Sequence, residues 1–503
     1  MLIIGEDKIK LFDIVGVASL FEKVVLDKAS EKKILKTRKS IEKAISNKEV
    51  IYGVTTGFGA FKNKVISPNE VEKLQENLIL SHAVAVGLPY PEYIVRAMMF
   101  LIVNYLSKGY SGVRPIVIKT LLEMLNKRVH PLVPQQGSVG SSGDLAPSAH
   151  IMLVLIGKGE ATFQGKKMAG EKALKKAGIK PIKLQAKEGL ALINNTSAMT
   201  ANAVFAIDEA KKLADIADLA AALSCESLRS TTKAFDKKIH LLKPHKGQIL
   251  VAARLRNFLK SSTMIDNNKT QDQYSIRCLP QVHGAVREAI FFAENIVNVE
   301  INSVTDNPLI FNNNNNFQAL SGGNFHGEAI AIAMDALGLA VSEFANISDR
   351  RIAAILDPAT NNGLPPFLVK TGGLNSGMMI LQYTTASLAS ENKILAHPAS
   401  VDSIPTSANV EDLVSMGTTA ARKARMILTN VRKVLAIEFL VACQAIDFRL
   451  KNNYRLGKVT KRIYDKVRLK VSFFEKDELY YPYMALIEEL MMSFPVFEKE
   501  NDD

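Results

Sequence analysis

The chain has 503 residues, with 63 Lys and Arg against 50 Asp and Glu for a formal net charge of +13, and is 47% apolar and 22% charged. This is ordinary globular usage; it excludes a disordered or collagen-like chain and suits either roughly three units of about 150 residues or one large core. Three cysteines, Cys225, Cys278 and Cys443, are too few and too scattered for a disulfide framework or a CxxC metal cluster, so no metal site is expected and a reducing, cytoplasmic compartment is.

The N-terminal MLIIGEDKIKLFD carries early charges and no apolar h-region, so neither a signal peptide nor a transit peptide is expected. A short strand is predicted near Glu49 to Tyr52. Gly, Ser and Pro115 interrupt an apolar helical pattern around Gly109 to Arg114, which sets an expected division into an N-terminal domain, 1–110, and an elongated helical core, 111–503. The run Gly137 to His150, GSVGSSGDLAPSAH, leads into a helix starting near Pro147. Ala161 to Phe163 and Lys166 to Met168 read as two short strands joined by the two-residue turn Gln164-Gly165. Lysines in Glu171 to Lys187 are spread along a polar segment rather than clustered with aromatics, which argues against a nucleic-acid partner.

From Ser197 to Leu223, Ala203, Ala206, Ile207, Ala210, Leu213, Ala214, Ala217, Ala220 and Ala221 recur at three- and four-residue steps, with charges between them, which predicts a long helix. Asn312 to Asn316 reads as a polar surface turn. Two further long helices are predicted over Gly327 to Ile355 and Asp412 to Phe448. Thr371 to Ser390 is uncharged but carries Asn375, Gln382 and six Ser or Thr residues. It is therefore read as a buried segment of a soluble protein and not as a membrane span. The elements together predict a mainly α fold with peripheral strands.

The segment around Ser142 is the densest chemical feature. Ser and Asp ahead of a helix satisfy its free amides, which a simple capped loop would also explain. A GxSxG nucleophile elbow is absent, because no residue separates Ser142 from Gly143, and there is no GxxxxGK[ST] phosphate loop.

GSVGSSGDLAP does not stand alone. With YGVTTGFG at Tyr52 to Gly59, LSHAVAVG at Leu80 to Gly87, EGLALINNTS at Glu188 to Ser197 and QDQYSIRCLPQVHG at Gln271 to Gly284, it resembles the histidine and aromatic amino acid ammonia-lyase family. EINSVTDNPLI at Glu300 to Ile310, SGGNFHGE at Ser321 to Glu328, GLNSGMMILQYT at Gly373 to Thr384 and LASENKILAHPASVDSIPTSANVEDLVSMG at Leu388 to Gly417 extend the likeness in the family's order. It is strongest to the histidine-specific members. The resemblance implies a core of long, nearly parallel helices with a smaller mixed N-terminal part carrying Tyr52 and His82. It also implies a homotetramer whose sites combine residues of three subunits.

The family's electrophile is a methylideneimidazolone built from Ala-Ser-Gly, matched here by Ser141, Ser142 and Gly143. Its formation requires the third residue's amide nitrogen to reach the first residue's carbonyl carbon, an approach that glycine permits. Ser142 then loses its hydroxyl as water, and no pyridoxal phosphate is needed. Serine at 141 departs from the family's alanine, but the first residue gives only its carbonyl; its hydroxyl is expected to compete for nearby amides.

The other roles are likewise implied by the resemblance. Tyr52 is the candidate base for the β-proton, sharing that candidacy with Glu411. An ordinary phenol is protonated near neutrality and must be activated, so an alkaline optimum is expected. Arg277 is the candidate clamp for the substrate carboxylate, since a guanidinium matches its two oxygens. Tyr274 and Gln271 fall near the electrophile, Asn194 hydrogen-bonds substrate and electrophile, and Phe325 is a pocket wall. His82 and Glu411 match the residues at the substrate's side-chain end in histidine enzymes, where phenylalanine-specific members carry an apolar pair and plant-type lyases a glutamine. Three departures surround them: Val410 for glutamine and Leu413 for histidine, expected to make Glu411's pocket less polar and raise its pKa, and Asn195 for glycine, expected to add a side chain beside the site.

The implied reaction converts L-histidine to trans-urocanate and ammonia. The alternatives are a tyrosine or other aromatic ammonia-lyase, a 2,3-aminomutase, or a non-catalytic assembly or binding protein in which Ser141 blocks ring closure.

Overall fold

The computed structural model describes residues 1–5, 8–67, 70–313 and 316–494. It is mostly helical, with short strands at the periphery. The three long predicted helices are present as Ser197–Ser227, Glu328–Leu356 and Gly417–Leu450. All nine periodic residues from Ala203 to Ala221 are buried, as a three- and four-residue repeat demands of a core-facing stripe. The last helix begins five residues later than expected. Thr406 and Glu411 are tied in an antiparallel bridge ahead of it, and Met416 takes φ 55°, outside the right-handed helical region.

Two helices, Glu188–Ser227 and Glu328–Leu356, are long and apolar enough to cross a membrane, but their apolar windows are mostly buried within the protein. The uncharged segment Thr371 to Ser390 is not a buried one. Its second half forms the helix Met379–Leu395, which buries Leu381 and Thr385 and leaves Ile380 and Tyr383 exposed, while Leu374 ahead of it is exposed too. Helical spacing allows both faces in one apolar run. The three cysteines are unpaired.

Strands Glu160–Phe163 and Lys166–Ala169 form the expected hairpin, with Gln164 at φ 51° and Gly165 at φ 72° in the left-handed turn that suits strand twist. His130–Pro131 adds a third strand to them. The asparagine run falls between the antiparallel strands Leu309–Asn313 and Asn316–Leu320, and Asn314 and Asn315 lie outside the described residues.

No strand forms at Glu49 to Tyr52; the chain turns there instead. Ile51 and Val54 are both buried in a cluster with Ile41, Ala44, Val71, Ala186 and Ile310. The Ile51 carbonyl accepts from Val54 N at 3.1 Å and Thr55 N at 3.0 Å, so local turn bonds stand where a strand partner would be needed.

The chain divides into two compact units, one of residues 1–206, 294–335 and 398–422, the other of 207–293, 336–397 and 423–503. The expected boundary at 110/111 falls inside the first. Gly109 to Arg114 is only the connection between helices Glu92–Ser107 and Pro115–Asn126, which pack on each other. In the second unit, buried Asp218 accepts hydrogen bonds from Arg254 Nε at 2.8 Å and Arg287 Nη2 at 2.5 Å, and lies 2.8 Å from His283 Nδ1. Burial opposes its charge, but Arg287, His283 and Arg254 outweigh that and hold the carboxyl well below its usual range.

In the first unit, burial and then the guanidinium groups of Arg96 and Arg128 push His130 down to about 4 from 6.5. Glu92 lies 3.6 Å from its Nε2 but is half-exposed and does not reverse the effect. Between those two values the unfolded chain binds the proton and the folded chain does not. The stability this residue contributes is therefore complete above pH 6.5 and is lost as pH falls toward 4, by about 2–3 kcal/mol. Urea denaturation at pH 7.5 and 4.5 should show a smaller acid loss in His130→Gln than in the wild type; equal losses would count against this assignment.

Candidate active site

In the first unit, a cavity of about 570 Å3 is lined by Tyr52, Phe58, His82, Ser142, Asn194, Phe325 and Glu411, among others. Six separate stretches of sequence deliver these side chains.

Tyr52 stands on the turn anchored by Ile51 and Val54. The turn is closed by Thr55 Oγ1, which accepts from Ile51 N at 2.9 Å, and Thr56 Oγ1, which accepts from Gly53 N at 3.1 Å. Gly53 has φ +65°, a conformation that favours glycine, and a Cβ there would sit 2.4 Å from Leu190 Cδ2, which would have to shift. The Tyr52 hydroxyl accepts a hydrogen bond from Gly59 N at 3.3 Å.

Ser141, Ser142 and Gly143 form the bend before helix Leu145–Leu155. Gly143 has φ +73°, and a Cβ on it would lie 2.3 Å from the Asn195 carbonyl oxygen. No other residue fits that approach. The neighbouring amide, Asp144 N, donates to the same oxygen at 2.6 Å. Upstream, the Gly140 carbonyl accepts from Ser415 Oγ at 2.9 Å and Gly327 N at 3.1 Å. Downstream, the fully buried Asp144 accepts from Ser138 Oγ at 2.8 Å, Met199 N at 2.8 Å and Thr418 Oγ1. Burial raises the pKa of this carboxyl, and the Thr418, Met199 and Ser138 donors offset part of that. The bend is thus held from both sides and from below.

Asn194 follows helix Glu188–Ile193, and its Nδ2 donates to the Ser142 carbonyl at 2.7 Å. Asn195 adds nothing to the cavity. Its side chain turns into the core, where Nδ2 donates to Leu192 O at 3.0 Å and Oδ1 accepts from Ser197 N at 2.9 Å; it is the backbone of Asn195 that approaches Gly143.

Glu411 arrives on a loop in which Ser407, Ala408 and Asn409 all have positive φ, a conformation disfavoured for residues with a Cβ. The Thr406–Glu411 bridge holds it, with Thr406 N donating to Glu411 O at 2.9 Å. Three hydroxyls converge on the carboxylate. Ser142 Oγ donates to Oε1 at 2.6 Å, Ser141 Oγ to Oε2 at 2.7 Å and Thr406 Oγ1 to Oε2 at 2.9 Å. The Ser141 hydroxyl therefore caps no amide and does not compete for the backbone of the bend.

Burial favours the neutral acid at Glu411, but the Ser142, Ser141 and Thr406 donors, and His82 when it is protonated, outweigh it and hold the carboxyl below its usual range. The expected upward shift is overturned for a geometric reason. Val410 is 45% exposed and Leu413 62% exposed, and neither lines the cavity, so the two departures put no apolar surface against the carboxylate. His82 ends helix Val71–His82, with Nδ1 3.0 Å from Ser81 Oγ. Burial pushes its imidazole below the ordinary range, against the smaller effects of Leu78 and Glu411, so it is neutral near pH 7.

Gln271, Tyr274 and Arg277 belong to the second unit and are not among the residues lining the Ser142 cavity. They keep one another's company as the spacing predicts. Arg277 Nη1 donates to Gln271 Oε1 and its guanidinium stacks 4.6 Å from the Tyr274 ring centroid. Tyr274 lines a different cavity of about 640 Å3 in its own unit, with Asp357, Phe367 and Tyr383. Sequence reasoning missed Thr406 and Asn307. Thr406 is five positions before Glu411 in the same TSANVE run, while Asn307 lines the cavity from beside the cis Asn307-Pro308 bond. Among the described residues, no group of three His, Cys, Asp or Glu side chains is placed to hold a metal ion.

The family profile described as aromatic amino acid lyase matches residues 9–469. Histidine ammonia-lyase 2 of Fusobacterium nucleatum is 54% identical over 493 residues, covering 97% of this chain and 96% of that protein. Among solved structures, histidine ammonia-lyase from Trypanosoma cruzi aligns with a TM-score of 0.90 at 40% identity, over 98% of this chain and 93% of that one. The Pantoea agglomerans phenylalanine aminomutase aligns with a TM-score of 0.94 at 36% identity, over 98% and 99%. With a cavity that gathers the family's motifs and likeness along nearly its whole length, this chain belongs to the aromatic amino acid lyase family of carbon-nitrogen lyases.

Proposed function

We propose that the protein is a histidine ammonia-lyase that eliminates ammonia from L-histidine to give trans-urocanate. The observation that carries this reading is Glu411, an ionised carboxylate at the cavity wall next to His82 that can accept the N–H of an imidazole. A phenyl ring offers no such donor.

The tripeptide fits the methylideneimidazolone its family uses: Gly143 is in a conformation, and against a backbone oxygen, that admits only glycine. That group supplies an electron-poor methylidene carbon that ordinary side chains lack. The chain's own residues do the rest. Asn194 puts a fixed amide donor on the Ser142 carbonyl oxygen, where negative charge would meet it without reorganisation. Tyr52 presents its hydroxyl to the cavity as the base for the β-proton, with the Gly59 N–H aimed at that oxygen. Phe325 closes a wall.

Arg277, with Gln271 and Tyr274, is assigned to the substrate carboxylate and the electrophile's surroundings of a neighbouring subunit in a homotetramer, because these three residues do not line the cavity of Ser142 in their own chain. A core of long, nearly parallel helices belongs to the same reading, and three unpaired thiols suit the cytoplasm. A second reading, an aromatic ammonia-lyase or 2,3-aminomutase, keeps the same cavity and draws on the likeness to the phenylalanine aminomutase.

Separate incubations with L-histidine, L-tyrosine and L-phenylalanine test this. Urocanate and ammonia from histidine alone are expected; coumarate or a β-amino acid would establish the second reading. Glu411→Gln should lower kcat/KM for histidine by roughly ten- to a hundredfold, the worth of a hydrogen bond to a charged acceptor. Unchanged steady-state kinetics would remove Glu411 from substrate recognition.

A further inference from the structure

We propose that Ser141 is a positioning residue for substrate selection: its hydroxyl, with that of Thr406, holds one oxygen of Glu411 so that the other faces the substrate. This rests on the proposed function, and it deepens it by giving a role to a residue whose side chain the electrophile does not use. The two carboxylate oxygens are not equivalent. Oε2 is taken by two donors, Ser141 Oγ at 2.7 Å and Thr406 Oγ1 at 2.9 Å, whereas Oε1 is taken only by Ser142 Oγ at 2.6 Å. Ser142 is the residue that gives up its hydroxyl in the mature protein, and the Ser141 and Thr406 hydroxyls remain. Maturation therefore vacates Oε1 alone.

The carboxylate is then left with one oxygen pinned and one open toward the cavity, beside His82. An N–H donor on the substrate side chain meets an acceptor already oriented for it, so less freedom is lost on binding. With alanine at 141, as in the family's usual tripeptide, Thr406 alone would hold Oε2 and the carboxylate could turn. Ser141 is 4% exposed, so its hydroxyl has no solvent to turn to and stays on the carboxylate.

The test uses the full-length protein in two forms. In Ser142→Ala, which cannot mature, L-histidine binding is read by titration calorimetry without turnover; adding Ser141→Ala should weaken Kd roughly fivefold, and adding Ser141→Thr instead should restore it. In the otherwise wild-type enzyme, Ser141→Ala should raise KM for histidine by a similar factor, again restored by threonine. Alanine is the family's residue there, so folding is not at stake. Unchanged Kd and KM in the alanine variants, or weakening that threonine does not restore, with normal urocanate formation by the wild type, would overturn the role of Ser141 alone. A wild type that forms no urocanate would overturn the functional reading and this inference with it.

Discussion

Replacing Ser142 with alanine is expected to lower ammonia release from L-histidine by at least about 10^4-fold, since the electrophile carries the hard chemistry and only binding and electrostatics remain without it. The mature wild-type chain should weigh less than its sequence by the two waters released in ring closure and dehydration, whereas the variant should lack that full deficit. The structure shows why the variant should still fold. The bend is held by the Asn195, Gly327 and Ser415 contacts and by Asp144, none of which uses the Ser142 side chain. Intact-mass spectrometry of both proteins is the check. A wild-type mass equal to the sequence would sink the enzyme assignment and restore the non-catalytic alternative.

Tyr52→Phe is expected to reduce kcat by roughly 10^2- to 10^4-fold while keeping the mass deficit, because a positioned general base contributes on that scale. Phenylalanine retains the ring, and the turn depends on Ile51, Val54, Gly53 and the two threonines instead of the hydroxyl. What is lost is one oxygen facing the cavity and the acceptor for Gly59 N. Activity close to wild type would move the base role to Glu411, the other candidate base, whose ionised carboxylate lies at the cavity wall. The pair of variants separates formation of the electrophile from its use, since only the first should change the mass.

Much of the local structure was legible from residue spacing. The long helices follow from three- and four-residue apolar repeats, and the Gln164-Gly165 hairpin from a turn that requires left-handed residues. The misreadings have physical causes. Glu49 to Tyr52 reads as a strand because Val50, Ile51 and Tyr52 carry side chains that favour one, but the turn closed on the Ile51 carbonyl, which buries Ile51 beside Val54, overrides that propensity. Thr371 to Ser390 lacks charge, and lack of charge does not distinguish a buried helix from one whose apolar side is left exposed.

The sequence by itself determined the helical class, which depends on short-range spacing, and its resemblance to the lyase family singled out Ser141-Ser142-Gly143, where one residue's sterics call for glycine at 143. Only the tertiary structure decided what surrounds that tripeptide. It set Glu411, 270 positions from Ser141, on two serine hydroxyls, turned Val410 and Leu413 away from the cavity and folded Asn195 into the core. It also left Arg277 and Tyr274 out of the Ser142 cavity. Contacts between residues so far apart in the chain are fixed by the packing of the core and the closure of the loops upon it, and no local pattern encodes which hydroxyl will meet which carboxylate oxygen.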